Sequence, residues 1–196
     1  MGHRFAEIAF TPNVKKAQEL NGSRMSYARM AEGAAHHDVI GPNEAAFISE
    51  RDSFYMATVS ETGWPYIQHR GGPPGLIRVL DEKTIGFADF RGNRQYVSVG
   101  NLENDDRVAL ILMDYPNRAR LKILGRARLI GLDDQDTLQR LSLPGYRAVV
   151  ERGFIIRVEA FDWNCAQHIT PRFTLAEIEE ATAPLRQRMA ELETAA

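Results

Sequence analysis

Between Arg118 and Ile130 cations alternate with small or aliphatic residues. Arg118, Arg120, Lys122, Arg126 and Arg128 hold even positions, and Ala119, Leu121, Ile123, Ala127 and Leu129 hold odd ones. Successive side chains on a strand point to opposite faces, so an extended chain gathers the cations on one side and the oily residues on the other. A helix would scatter both sets around its axis. The segment is therefore predicted to be a strand with one buried face. Its other face carries like charges that repel unless a carboxylate or an anion is near. Carboxylates on a neighbouring strand, such as Glu159, are expected to balance most of the five. One or two are then left to reach a phosphate-bearing ligand or a partner subunit.

The same period of two runs through the middle of the chain. Ser53–Ser60 and Trp64–Gly71 flank Glu61-Thr62-Gly63, a hairpin signal. Leu76–Leu80 and Thr84–Phe90 flank Asp81-Glu82-Lys83. Arg107–Tyr115 is almost wholly apolar, which predicts a strand buried on both faces. Gly153–Asp162 alternates Phe154, Ile156 and Val158. Helical spacing appears in two pieces over residues 12–34, interrupted by Gly22, and again over Asn43–Arg51 with Asn43 as its expected cap. Further helices are expected at Asn93–Leu102, at Asp133–Leu141, and from Leu175 to about Glu193. Six or seven antiparallel strands flanked by helices predict an α+β sheet or barrel. No βαβ alternation and no glycine-rich nucleotide fingerprint supports a Rossmann sheet.

The chain has 196 residues, enough for one domain with helical additions. Its 24 Lys+Arg against 26 Asp+Glu give a net charge of −2, so no overall basic excess calls for nucleic acid. The longest apolar run, Val108–Met113, is far short of the roughly twenty residues a membrane helix needs. No apolar leader follows Met1, so a cytoplasmic protein is expected. Cys165 is the only cysteine, which excludes an internal disulfide and a cysteine zinc site. His36-His37-Asp38 lacks a second cluster at metal-ligand spacing, and no metal is expected.

Three further segments concentrate polar chemistry. Arg91-Gly92-Asn93-Arg94-Gln95 lies between a strand and a short helix. Gly92 lets the backbone turn, Asn93 can cap the helix, and Arg91 and Arg94 offer forked donors suited to phosphate. In Gln68-His69-Arg70 the strand puts Gln68 and Arg70 on one face and His69 on the other, before a Gly/Pro run that ends regular pairing. Trp163-Asn164-Cys165-Ala166-Gln167-His168, with Arg172-Phe173 beyond, crowds donors and aromatics into a loop that can line a pocket.

Taken together, these residues resemble the FMN-binding split β-barrel of the pyridoxamine 5′-phosphate oxidase-like proteins, over roughly Glu44 to Arg172. Ala57-Thr58-Val59 through Gly63-Trp64-Pro65-Tyr66 looks like that family's opening hairpin. Gly86-Phe87-Ala88-Asp89-Phe90 with Gly92-Asn93-Arg94-Gln95 looks like its flavin strand and phosphate turn. Asn104-Asp105-Asp106-Arg107-Val108-Ala109-Leu110 is similar to its Asn-Pro-Arg-Val-Ala-Leu entry into a strand. Arg120 through Gly125 resembles the strand whose polar residue reaches the flavin from the second subunit. Asp162–Cys165 and Gln167–Phe173 match an uncharacterised bacterial branch.

The resemblance implies an antiparallel split β-barrel over 43–173, an N-terminal helical extension over 1–42 and a C-terminal helix over 174–196. It implies FMN held by Gln68, His69, Arg70, Ala88, Asp89, Arg91, Asn93, Arg94, Gln95 and Arg120, in a homodimer with the cofactor at the subunit interface. His168 and Arg172 are its candidates near the reacting end. A small-molecule substrate or a nicotinamide donor is the expected partner, and nucleic acid and membrane are not expected. Gln68 stands where the true oxidases have Arg, Gln95 where they have Lys, and Pro73 near their substrate-phosphate Lys. Flavin binding is thus expected ahead of vitamin B6 oxidation. The residues leave four functions open: a flavoenzyme, a non-catalytic flavin or nucleotide carrier or sensor, a haem-binding split barrel, and a structural dimer.

Overall fold

Seven antiparallel strands form one sheet that curls on itself without closing, with helices on its flanks. The computed structural model describes residues 3–33, 36–163 and 166–194. In chain order the elements are α1 (Arg4–Ala9), α2 (Pro12–Leu20), α3 (Arg24–Ala31), α4 (Pro42–Ser49), β1 (Ser53–Val59), β2 (Pro65–Gly71), β3 (Arg78–Asp81) and β4 (Thr84–Phe90). They continue with α5 (Val97–Leu102), β5 (Arg107–Asp114), β6 (Ala119–Ile130), α6 (Gln135–Arg140), β7 (Val150–Trp163) and α7 (Leu175–Thr194). The strand order is β2-β1-β5-β6-β7-β4-β3, so the sheet is not a simple meander. β7 fits between β6 and β4 and joins the two halves.

Three helix starts differ from the sequence reading, the smallest shift being α6, which begins at Gln135 after its cap Asp134 rather than at Asp133. α4 begins after Gly41 rather than Asn43, because the Glu44 carboxylate reaches back 3.0 Å to accept from the Gly41 N–H. α5 begins at Val97. The residues before it turn through left-handed conformations at Arg94 (φ 61°) and Tyr96 (φ 54°), so Asn93 caps no helix. Its Oδ1 accepts instead from the Gln95 N–H at 3.1 Å, a local turn. α1 is an element the period analysis did not find.

The inner face of the sheet carries the core. Phe54, Met56, Phe87, Leu112, Leu121, Ile123, Phe154 and Ile156 are fully buried there, and Phe87 stacks on Phe154 at 4.8 Å. A second, smaller core lies under α6, where Leu138 and Leu141 meet Ala88, Ile130 and Ile155. Gly86 and Gly153 make room for it, since a Cβ on either would come within 2.8 Å of Leu141.

β6 alternates as its sequence requires, with the odd residues 121, 123, 125 and 127 inside. Leu124 faces Ala160 and Gly125 faces Val158, which leaves Glu159 as an extra residue on β7. From this bulge Glu159 meets Arg126 at 3.6 Å and Arg4 of α1 at 3.7 Å. Lys122 finds Asp162 at 3.5 Å. Carboxylates on β7 therefore balance Lys122 and Arg126, two of the five rather than most as expected, and no carboxylate among the described residues comes within 4 Å of Arg118, Arg120 or Arg128.

β5 differs from its expectation of burial on both faces. Val108, Leu110 and Leu112 are buried, but Ala109, Ile111 and Met113 are only half-buried. Register places Tyr55 beside Ile111 and Ile67 beside Ala57 on that same outer face, and Tyr55 and Ile67 are exposed. The outer side of β2-β1-β5 is thus a largely apolar surface that stays uncovered among the described residues.

Candidate functional site

β2 and β4 end on the same side of the barrel, and the turn after β4 curls over their ends toward α5. A cavity of about 320 Å³ opens there. Gln68, His69, Arg70, Ala88, Asp89, Arg91, Asn93 and Arg94 all contribute to its wall. The Gln68–Arg70 and Arg91–Arg94 residues come from two segments singled out separately in the sequence, and Ala88 and Asp89 from the strand the resemblance implied. Tyr96, Ser98, Tyr146 and Glu151 also line it.

Arg70 projects inward from β2 because it shares a face with Gln68. Its guanidinium sits 5.0 Å from the Phe87 ring and 4.6 Å from the Phe154 ring, closing the end of the core. One Nη donates to Asp89, whose side chain is also nearly buried. Asp89 faces a second guanidinium, Arg152 Nε, at 3.4 Å. Arg152 continues to Glu151 at 3.3 Å, and Arg91 Nε donates to Glu151 at 2.9 Å. A run of alternating charges therefore rims the cavity. The hydrogen bond from Arg91, helped by one from the Tyr96 hydroxyl, holds the Glu151 carboxyl below the usual carboxylate range. Gln68 Oε1 accepts from Ser98 Oγ at 3.2 Å, tying β2 to α5.

Arg94 stands outside this run. Its only polar partner among the described residues is the Tyr96 hydroxyl, at 3.3 Å, and it is exposed. Four guanidiniums (Arg70, Arg91, Arg94 and Arg152) thus face two carboxylates (Asp89 and Glu151). The surplus matches the charge of a phosphate monoester. The buried Nε of Arg70 also has no acceptor, which leaves the wall a donor to offer.

Other candidates lie elsewhere. Gln95 is exposed and does not line the cavity. Arg120 lies on β6 across from Met113, outside the cavity lining, with its buried Nε unpartnered. Arg172 lies 5.0 Å over the Tyr115 ring, beside the Arg51–Asp114 ion pair. His168 is exposed with φ 62°. Within one chain none of these three reaches the cavity. Asn164 and Cys165 lie outside the described residues. No group of three or more potential metal ligands occurs among the described residues, and no helix among them is long and apolar enough to cross a membrane.

Sequence reading missed Tyr96, Tyr146, Glu151 and Arg152. The available signal was pairing: β4 and β7 are antiparallel, and the register that sets Ala88 opposite Gly153 sets Asp89 opposite Arg152.

Residues 40–153 match the family model described as pyridoxamine 5′-phosphate oxidase, more than half of the chain. The chain belongs to the pyridoxamine 5′-phosphate oxidase family. Its antiparallel sheet with flanking helices is that family's split-barrel α+β fold. Among curated proteins no sequence relative matches. Solved structures similar to this family member include a putative pyridoxamine 5′-phosphate oxidase from Lactobacillus delbrueckii. It is 17% identical over 64% of this chain and 94% of that one, with a TM-score of 0.49. HupZ of Group A Streptococcus is 17% identical over 68% and 99%, with a TM-score of 0.48. HutZ, a haem storage protein from Vibrio cholerae, is 16% identical over 63% and 93%, with a TM-score of 0.43.

Proposed function

We propose that this chain binds FMN in the cavity at the ends of β2 and β4 and acts as an oxidoreductase on a small substrate. Arg94, with Arg91 and the Asn93 turn, holds the phosphate. Gln68 and the Ala88–Asp89 backbone border the ring system. The bound flavin supplies the two-electron redox chemistry, and the protein supplies position and electrostatics. The Arg70–Asp89–Arg152 run fixes the wall, so that ligand binding needs little rearrangement of charge.

The observation that carries this reading is Arg94. It is held in a left-handed turn with no carboxylate within 4 Å among the described residues, meeting Glu151 only through the Tyr96 hydroxyl, at a rim that already carries surplus positive charge. A phosphate ester is the group such a turn suits.

The second copy enters through the uncovered outer face of β2-β1-β5. A homodimer that buries Ile67, Tyr55, Ile111 and Met113 gives β5 the two-sided burial its sequence asks for. It also carries Arg120, next to Met113, into the interface, where it can approach the partner's cofactor.

The test is the visible spectrum of the purified protein before and after adding FMN and desalting. Flavin bands that stay with the protein support the reading. Anaerobic mixing of that complex with NADH or NADPH then separates an enzyme, which bleaches, from a carrier or sensor, which does not. A retained Soret band with no affinity for FMN replaces flavin by haem. Retention of neither chromophore overturns the proposal.

A further inference from the structure

The second feature rich in unbalanced charge lies on the outer face of the sheet, where α6 stands beside β6, β7 and β4. A groove of about 720 Å³ runs there between strands and helix. It takes the Thr84 end of β4, whereas the first cavity takes the Ala88–Phe90 end. We propose that this groove is a separate anion site, and that its ligand is a short chain of two or three linked phosphates.

Register fixes the floor. Arg126 on β6 lies directly opposite Arg157 on β7, and Arg157 lies opposite Thr84 on β4. Arg128 follows two residues along β6 on the same face. Directly opposed side chains start about 5 Å apart, and residues i and i+2 about 6.7 Å apart. Three guanidiniums therefore share a patch no larger than a triphosphate.

Like charges directly opposite one another destabilise a sheet unless something intervenes. Arg126 has Asp106 at 2.6 Å and Glu159 at 3.6 Å. Arg128 and Arg157 have no carboxylate within 4 Å among the described residues, and both are exposed. Arg140 brings a third unmatched guanidinium from α6, held at the rim by its 2.9 Å hydrogen bond to the Leu80 carbonyl. Lys83, paired with Asp38 at 2.6 Å, marks one end, and Thr137 adds a hydroxyl to the helix wall.

The arrangement also decides against other anions. Its donors are strung out along the groove rather than converging on one point, which favours linked phosphates over a single one. Asp81 and Asp106 stand in the lining and would repel a long nucleic-acid backbone carried past them. Arginine rather than lysine supplies the unmatched charges, and its planar fork suits phosphate oxygens.

Calorimetric titration of the full chain with inorganic tripolyphosphate, and in parallel with a nucleoside triphosphate, tests the site. The Arg128→Ala/Arg157→Ala double variant is expected to weaken binding by at least about tenfold, through loss of two charge-assisted contacts. Arg94→Ala, at the first cavity, is expected to leave that binding intact. Equal affinity for the two ligands means the phosphate chain suffices; tighter nucleotide binding adds a contact to the base. In the absence of anion the double variant is expected to melt higher than the parent, because a like-charge repulsion is gone. An Arg128→Gln/Arg157→Gln variant repeats the affinity test with most of the side-chain packing kept. Binding that survives both double variants but is lost in Arg94→Ala overturns the proposal. So does a double variant that melts lower with its affinity unchanged, since the arginines would then be packing residues.

Discussion

The guanidinium of Arg70 and the carboxylate of Asp89 form an ion pair in which both side chains are close to nine-tenths buried. Asp89 also serves Arg152, which keeps Glu151 at 3.3 Å, so its removal strands the Arg70 guanidinium. Breaking a buried pair from one side costs about 3–5 kcal/mol, because the remaining charge keeps its desolvation penalty. Asp89→Ala is therefore expected to lower the melting temperature by roughly 6–20 °C, at about 2–4 °C per kcal/mol for a chain of this size. Thermal unfolding followed by circular dichroism measures this, and a change under about 2 °C would show that the pair is not structural.

Arg94 is expected to behave in the opposite way. It is exposed, touches only the Tyr96 hydroxyl and supports no packing. Arg94→Ala is expected to leave the melting temperature within about 2 °C of the parent, as for most surface changes. FMN affinity is expected to fall by at least about tenfold, the loss of one charge-assisted contact to phosphate. Fluorescence titration with FMN reads the affinity, and an unchanged dissociation constant refutes the phosphate assignment.

The difference between these two arginines explains what the sequence could convey. The alternation of β6 is a local pattern, and it gave the strand, its buried face and the role of Glu159 as a counter-charge. Arg70 and Arg94 were both visible as cations near a turn, but their partners were not. Asp89 reaches Arg70 across the barrel, and Glu151 reaches Arg91 only through the pairing of β4 with β7. The start of α5 was misplaced because nothing in the letters Arg94 and Tyr96 announces a left-handed backbone. The apolar character of β5 was legible, whereas its outer face is left half-buried by the described residues.

His3 is expected to make stability depend on pH. It is buried, stacks on His37 at 4.2 Å and has an unpartnered Nδ1. Burial, with the nearby His37, lowers its pKa below 6.5, and Asp162 opposes them only in part. The unfolded chain therefore binds the proton first as pH falls. The His3 contribution is complete above about pH 6.5 and is lost as pH drops from there through the folded value. Melting curves between about pH 8 and pH 5 are expected to show this slope. His3→Phe is expected to flatten it, and an equal slope in that variant rules His3 out.

Two glycines are expected to respond with opposite signs. A Cβ at Gly125 would lie 2.6 Å from the Arg157 carbonyl oxygen, in the bulged stretch of β6 and β7. Gly125→Ala is expected to destabilise by about 1–3 kcal/mol or more through overpacking. Gly100 sits in α5 with nothing within 4 Å of an added Cβ. Gly100→Ala is expected to stabilise by about 0.5–1 kcal/mol through the unfolded chain. Urea unfolding of the two variants decides both.

Charge on the outer face of β5 is expected to separate the copies. Ile111→Glu puts a carboxylate in the centre of the uncovered apolar surface, beside Tyr55. Analytical ultracentrifugation is expected to show the parent as a dimer and the variant as a monomer, with FMN retention reduced in the monomer. A parent that sediments as a monomer places the covering partner outside this chain.

The slot that Gly86 and Gly153 open for Leu141 reaches beyond stability. Three positions far apart in the chain share one volume, so none of them can change alone. A side chain at 86 would press on the Phe154 carbonyl as well as on Leu141, and one at 153 on Ile130 as well, so shortening residue 141 alone admits neither and the seat of α6 rests on both glycines. α6 supplies Arg140 and Thr137 to the outer groove. The history of that groove is thus tied to two residues that carry no side chain at all.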